Sequence, residues 1–414
     1  MDTASVIDYI NENWERSIYR DKPGCGFGGV DLPYSYSSPS IKGEGFYSFF
    51  FYWDTYFTNL GLLRQNRAET ARDNISNILW LIKRQGYMPN HVGLYNRSQS
   101  PYLCRMVKDY IALTGEKDFL AECGEGLRQE YNFWMTARNS PIGLNRYGHH
   151  DTRKGCEKFY NECLVERLHL SPDVSAQEKS RVGGHFLANA EATCDFTSRF
   201  EGFCLNYCAV DLNALLYEYE QYLKEVSVEL KWGDTALWAS RAEQRLALMN
   251  HYFWDEKQGL FFDYDFVNDK FGPVSALTGF NTLATGVATP EQAARMVANL
   301  PLFERDYGIA YAPDHEGCRN FQWDYPNVWP PMVYMTVEGL RRYGFIKEAK
   351  RIALKFVSTT IRLFEETGQL WEKTDAETGK VAGGEYDAAP MLGWSAGVFL
   401  AMVEFLKSNE RKRA

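Results

Sequence analysis

Apolar residues spaced three and four apart recur from one end of this 414-residue chain to the other, and no strand-helix alternation interrupts them. Ile7, Ile10 and Trp14 share one face of a helix predicted over 5–19. After Thr55 the spacing runs through Leu60 and Leu63. It continues through Ala71, Ile75, Ile78, Leu79 and Ile82 to Gly86, a residue suited to ending a helix. Further helices are expected over 107–113, 119–138, 211–228, 235–253, 289–300, 332–343, 346–363 and 392–406. Asp211 is placed to cap the helix it opens. Residues 264–280 read as short strands or loops. No sequence repeat is visible, which argues against a solenoid. Many helices in one chain, with no break in composition, predict an all-α fold: a closed toroid of helix pairs. The expectation is one domain over 1–414, with an irregular loop region at 20–45 and long functional loops gathered at one end.

The loops carry most of the chemistry-bearing residues. Residues 321–331 hold two tryptophans, a carboxylate, two amides and three prolines. Prolines at 326, 330 and 331 block a regular helix or central strand, so the stretch reads as a stiff connector leading into the helix at 332. Flat aromatic faces beside hydrogen-bonding groups suit a sugar ring, with its apolar face and rim of hydroxyls. A buried proline-rich turn with tryptophan as core filler fits this stretch equally well. In the aromatic run 46–57, Asp54 follows Trp53, a carboxylate inside an aromatic wall that needs partners if buried. The loop 88–101 carries Asn90, Arg97 and Gln99, and the polar loop 140–157 carries Arg146. Residues 171–181 read as a polar excursion, and 191–200 as a polar-aromatic cluster around Asp195.

Net charge is −9, with no cluster of Lys and Arg of the kind a phosphate backbone requires, so nucleic acid is excluded as a partner. No apolar run reaches the length of a membrane span. Met1-Asp2-Thr3 opens on an acid with no apolar segment behind a basic start, so no secretory leader is expected and a cytoplasmic location is. The nine cysteines form no Cys-x-x-Cys pair and the seven histidines are scattered. Reduced thiols are expected, without metal or organic cofactor.

Gln322-Trp323-Asp324-Tyr325-Pro326-Asn327-Val328-Trp329-Pro330-Pro331 resembles the second signature of trehalases, glycoside hydrolase family 37, where a glycine is usual at the position of Val328. Tyr52-Trp53-Asp54-Thr55-Tyr56-Phe57 resembles the end of the first signature. Asn96-Arg97-Ser98-Gln99-Ser100-Pro101, Leu144-Asn145-Arg146-Tyr147, residues 191–200, Asp211-Leu212-Asn213 and Trp371-Glu372-Lys373 resemble further blocks in the same order. The likeness therefore runs from about residue 45 to the end. It implies an (α/α)6 barrel and an inverting, exo-acting α-glycosidase, similar in fold and mechanism to family 63, with a small carbohydrate as partner. It also implies Asp195 as general acid and Glu372 as general base. Trp53, Asp54, Asn90, Arg97, Gln99, Arg146, Trp323 and Asp324 would surround the sugar, and Glu385 and Tyr386 would lie in a glycine-rich lid.

The residue chemistry is compatible with those roles. Inversion needs two carboxyls flanking the glycosidic bond, far enough apart to admit a water. Cys194, Phe196 and Phe200 give Asp195 an apolar setting that favours the protonated acid. Trp371 and Lys373 flank Glu372 in a setting compatible with an ionised base. Taken singly, either acid reads more readily as an ordinary salt-bridged or capping carboxylate, and the ordered blocks reverse that balance.

Departures from the family pattern gather on the leaving-group side. The first signature usually begins Pro-Gly-Gly-Arg-Phe, whereas Gly43-Glu44-Gly45-Phe46-Tyr47 lacks the arginine. Ser-Gly-Trp usually precedes the acid, whereas Ala192-Thr193-Cys194 stands here. The lid, Gly383-Gly384, is short, and residues 374–379 resemble family 63 as much as family 37. A small α-glucoside is the expected substrate, with trehalose competing against glucosylglycerate and mannosylglycerate. A catalytically inactive sugar-binding barrel is the alternative from another class.

Overall fold

The computed structural model describes residues 2–20, 31–44 and 48–411. Gly45, Phe46 and Tyr47, in the stretch compared with the first signature, lie outside the described residues, as do 21–30 of the irregular region. In chain order the helices are α1 (Ala4–Ser17), α2 (Trp53–Arg64), α3 (Ala68–Gln85), α4 (Leu103–Thr114), α5 (Lys117–Ala137), α6 (Arg153–Phe159), α7 (Val165–Arg167) and α8 (Ala176–Asn189). They continue as α9 (Val210–Glu229), α10 (Thr235–Tyr252), α11 (Asn281–Thr285), α12 (Pro290–Ala298), α13 (Pro330–Arg342), α14 (Ile346–Thr367) and α15 (Gly393–Arg411).

Six helices make an inner ring. α2 packs on α4, α4 on α9, α9 on α11, α11 on α13 and α13 on α15, and α15 returns to α2. α3, α5, α10 and α14 lie behind this ring, with α1 against α15. The protein is thus an (α/α)6 barrel, as the sequence pattern and the resemblance lead one to expect. The layers follow from composition. α2 and α13 are buried along most of their length, as a helix packed on both sides must be. α3 keeps Ala71, Ile75, Ile78 and Ile82 on one buried stripe and turns its charges outward. The closing contact is tight: a Cβ added to Gly397 would sit 1.8 Å from the carbonyl oxygen of Phe57, and one on Gly61 would sit 2.9 Å from the Cα of Gly397. Glycine lets these two backbones touch.

One continuous apolar core runs from Val6 to Phe405. A second, smaller cluster of Tyr160, Leu164, Phe186, Ala190 and Phe196 sits beside Asp195. Short antiparallel pairs tie the loops together. Asn327–Val328 pairs with Thr374–Asp375, which fastens the proline-rich connector to the segment carrying Glu372. Tyr264–Asp265 and Lys270–Phe271 form short strands within the region expected to hold strands or loops.

Some local expectations are overturned. The end of the polar loop at 140–157 winds into α6, capped by the Thr152 hydroxyl. The polar stretch 171–181 is largely the start of α8, whose Ser175 side chain accepts from the amide of Glu178, a capping pattern that polarity concealed. Asp211 does not cap α9; Ala209 occupies that position, and Asp211 binds Arg199 and Tyr147 instead. α13 starts at Pro330, because two prolines fill a first turn whose amides need no helical partner. Among the described residues, no helix is long and apolar enough to cross a membrane, and no group of three or more His, Cys, Asp or Glu is placed to hold a metal. The described cysteines are free thiols, all buried except Cys163.

Candidate active site

Asp195 follows α8 on a turn whose next residue, Phe196, has φ +50°, a strained value for a bulky side chain. The Asn189 side chain holds that turn by accepting from the Phe196 amide at 2.6 Å. The carboxyl of Asp195 accepts from Gln322 Nε2 at 2.5 Å and from Trp323 Nε1 at 2.9 Å. The connector is held in return. Asp324 accepts from Thr197 Oγ1 at 2.6 Å and from the Ser198 amide at 3.0 Å. Acid loop and connector therefore brace each other through four hydrogen bonds. Burial pushes the Asp195 carboxyl above its usual range, while Arg167, the Trp323 N–H, Arg97 and Gln322 oppose that rise.

Glu372 is fixed by its backbone. Its amide donates to Ala389 O at 2.9 Å, and its carbonyl accepts from Trp394 Nε1 at 3.1 Å. The Tyr386 hydroxyl donates to Oε1 at 3.0 Å. Lys373 places its Nζ 3.7 Å from the centre of the Tyr386 ring and 5.2 Å from that of Trp329, with no hydrogen-bond partner among the described residues. Burial pushes this ammonium down to about 8, with Glu372 the largest opposing influence.

An aromatic floor joins the two carboxylates. Trp323 stacks on Trp329 at 3.9 Å, and Trp53 meets Trp323 at 5.7 Å and Trp394 at 5.4 Å. Asp54 lies in the first turn of α2, where burial pushes its carboxyl up to about 8 and the charges of Glu372 and Asp195 add to the rise. Gln99 accepts from the Trp53 amide at 3.1 Å, and Arg97 donates to Ala190 O at 3.1 Å. Glu191 anchors this loop by accepting from the Ser98 amide at 2.9 Å, from the Gly148 amide at 2.7 Å and from Arg138 at 2.6 Å.

A cavity of about 1510 Å³ gathers Trp53, Asp54, Asn90, Arg97, Gln99, Asp195, Trp323, Glu372, Glu385 and Tyr386 on its wall. Two expected sugar contacts lie elsewhere. Asp324 sits behind the wall with both carboxylate oxygens committed to the acid loop. Arg146 donates to Leu205 O at 3.3 Å and does not line the cavity. Arg167 is a further member of the site: its guanidinium lies 3.7 Å from the centre of the Phe196 ring, pairs with Glu385 and donates to Gln322 at 3.0 Å. Nothing in the spacing around residue 167 marks it. Trp329 and Trp394 also line the cavity; a tryptophan at the head of a largely apolar helix was the available signal for Trp394.

A helical toroid with paired carboxylates in one loop-built cavity is an architecture of glycoside hydrolases. The family model Trehalase matches residues 41–407. Neutral trehalase Nth1 from Saccharomyces cerevisiae is similar in structure, with a TM-score of 0.77 at 23% identity, covering 100% of this chain and 82% of that one. The GH63 mannosylglycerate hydrolase from Thermus thermophilus, in complex with Tris and D-glycerate, gives a TM-score of 0.67 at 18% identity, covering 95% and 99%. A rhamnosidase from Klebsiella oxytoca with rhamnose bound gives 0.57 at 12% identity, covering 88% and 58%. The chain belongs to the trehalase family and is a glycoside hydrolase acting on α-glycosides.

Asp54 carries a prediction of its own. A carboxyl with its pKa near 8 is neutral at pH 6 and can both donate to and accept from a sugar hydroxyl pair. Asn offers the same pair of functions without charge. Asp54→Asn is expected to lose less than tenfold in kcat/KM at pH 6. Asp54→Ala is expected to lose about ten- to hundredfold, the effect of roughly 1.4–3 kcal/mol of unmade hydrogen bonding. The ratio of Asn-variant to wild-type rate should rise as pH passes through about 8, because only the wild type ionises there. A ratio flat from pH 5 to 9 would contradict the assignment.

Proposed function

We propose that the protein is an inverting, exo-acting α-glycosidase of a small α-glucoside, with Asp195 as general acid and Glu372 as general base. The observation that carries the reading is the placement of these two carboxylates on one cavity wall in different surroundings. Asp195 is held above its usual range by burial, as a proton donor requires. Glu372 is fixed by its backbone and by Tyr386 beside it. Asp195 gives its proton to the glycosidic oxygen as the bond to the anomeric carbon breaks. Glu372 takes a proton from the water that attacks the opposite face. The tryptophan floor offers a surface for the sugar, and Asp54, Asn90, Arg97 and Gln99 offer polar groups for its hydroxyls. The continuous core from Val6 to Phe405 supports treating 1–414 as one domain.

Proton NMR of the first turnovers tests the stereochemistry: the β-anomer is expected first, with the α-anomer appearing only through mutarotation. Early α-anomer would end the inverting mechanism. A glycerate aglycone, as bound in the Thermus relative, is the second reading, favoured by that fold likeness. Most of the cavity's arginines are already paired, Arg167 with Glu385, Arg181 with Glu178 and Arg319 with Glu377, which favours a neutral leaving group.

A further inference from the structure

The acid-side half of the cavity differs in chemistry from the sugar side. At about 1510 Å³ the whole space exceeds the roughly 300–1,000 Å³ typical of small-molecule sites. Leu168, Leu170, Val174, Val182, Phe186 and Phe203 line it between α7 and the turn after α8. Most of them are only partly buried, so their apolar surface faces the open space. This wall is continuous with the acid. Phe196, the residue after Asp195, packs on Phe186 with ring centres 5.9 Å apart, and Leu168, Leu170, Val174 and Val182 pack on the same cluster.

A general acid protonates the leaving-group oxygen, so whatever departs lies beside Asp195 and against this wall. Aliphatic side chains neither donate nor accept. Hydroxyls of a second sugar pressed against them would lose water without gaining partners. Several polar groups at the rim are already engaged, Arg181 with Glu178, Arg319 with Glu377, and Glu201 with Tyr207 and Lys270, while Glu166, His169 and Asn320 also line the cavity.

We propose that the leaving group is a neutral hydrophobic alcohol, alkyl or aryl, seated on the wall formed by Leu168, Leu170, Val174, Val182 and Phe186. This inference rests on the assignment of Asp195 as the acid. The reaction stays a hydrolysis. The bond from the anomeric carbon to the aglycone oxygen breaks, and the proton of Asp195 goes to that oxygen. Water supplies the new hydroxyl, and its spare proton goes to Glu372.

The test is kcat/KM along methyl, butyl, hexyl and octyl α-glucosides, with trehalose and maltose as polar comparators. The saturated leaving groups differ little in basicity, so the series reads contact with the wall. We expect about a threefold gain per methylene that reaches the wall, and octyl glucoside ahead of trehalose by at least tenfold. Leu170→Gln and Val174→Asn are each expected to lower the octyl-to-methyl ratio several-fold. A flat series, or trehalose preferred tenfold, overturns the hydrophobic aglycone and leaves the hydrolase assignment standing. No turnover of any α-glucoside overturns the glucosidase assignment and this inference with it.

Discussion

Asp195→Asn and Glu372→Gln are each expected to lower kcat by roughly 10²–10⁴-fold, the range that positioned acid and base groups supply. Both substitutions keep size and shape, so the melting temperature should stay close to that of the wild type. The two can be told apart by leaving group. Fluoride leaves α-glucosyl fluoride without needing a proton, so Asp195→Asn should retain most of its rate on that substrate. Glu372→Gln should remain slow on it, because water must still be activated. Equal losses on fluoride and alkyl glucoside would remove the division of labour. Wild-type rates in either variant would remove the residue from the mechanism. The placement that motivates this is a hydrogen-bonded Asp195 on one loop and a backbone-fixed Glu372 on another, facing one cavity.

The second large effect concerns stability. Arg199 is fully buried and binds Asp211 at 2.9 Å and Asp263 at 2.6 Å, joining the loop after the acid to α9 and to the strand region beyond it. Arg199→Leu would leave two buried carboxylates without their cation, a change that costs about 3–5 kcal/mol. The pH dependence has a definite sign. Burial already holds the Asp263 carboxyl above its usual range even with Arg199 present as the main opposing influence. Without Arg199 the folded-state pKa of Asp263 rises further above the unfolded value near 3.9. A group with a raised folded pKa stabilises the fold below its unfolded pKa and loses that contribution as pH climbs through the folded one. Urea midpoints of Arg199→Leu should therefore be nearer wild type at pH 4.5 than at pH 8. Adding Asp211→Asn and Asp263→Asn should recover part of the loss at pH 8. A single variant as stable as wild type at pH 8 would show the cluster to be dispensable.

The ring was legible because most of its inner and outer helices carry a spacing that survives in the linear chain, Ile75, Ile78 and Ile82 on α3 being an example, whereas the inner helix α11, five residues long, is too short to show one. The carboxylates were legible because their neighbours form recognisable blocks. The residues missed were missed for physical reasons. Arg167 acts through Phe196, Glu385 and Gln322, which are distant in sequence. Arg146 and Asp324 carry the right chemistry for a sugar, but Arg146 lies off the cavity wall and both oxygens of Asp324 are committed to the acid loop, placements that only the folded chain displays. The apolar wall was hidden because Leu168, Leu170 and Val174 are scattered through a charged stretch whose winding into α7 and α8 leaves them facing the cavity.

Trp323 both stacks at the floor and donates its indole N–H to Asp195. A hydrogen bond to the ionised form lowers a carboxyl's proton affinity, so any guest that tilts the indole away makes Asp195 hold its proton more firmly. Occupancy and protonation are then thermodynamically linked, and the linkage works in both directions. An inhibitor that displaces the ring should take up a fraction of a proton on binding and weaken in alkaline buffer, whereas one that leaves the ring seated should bind without that exchange.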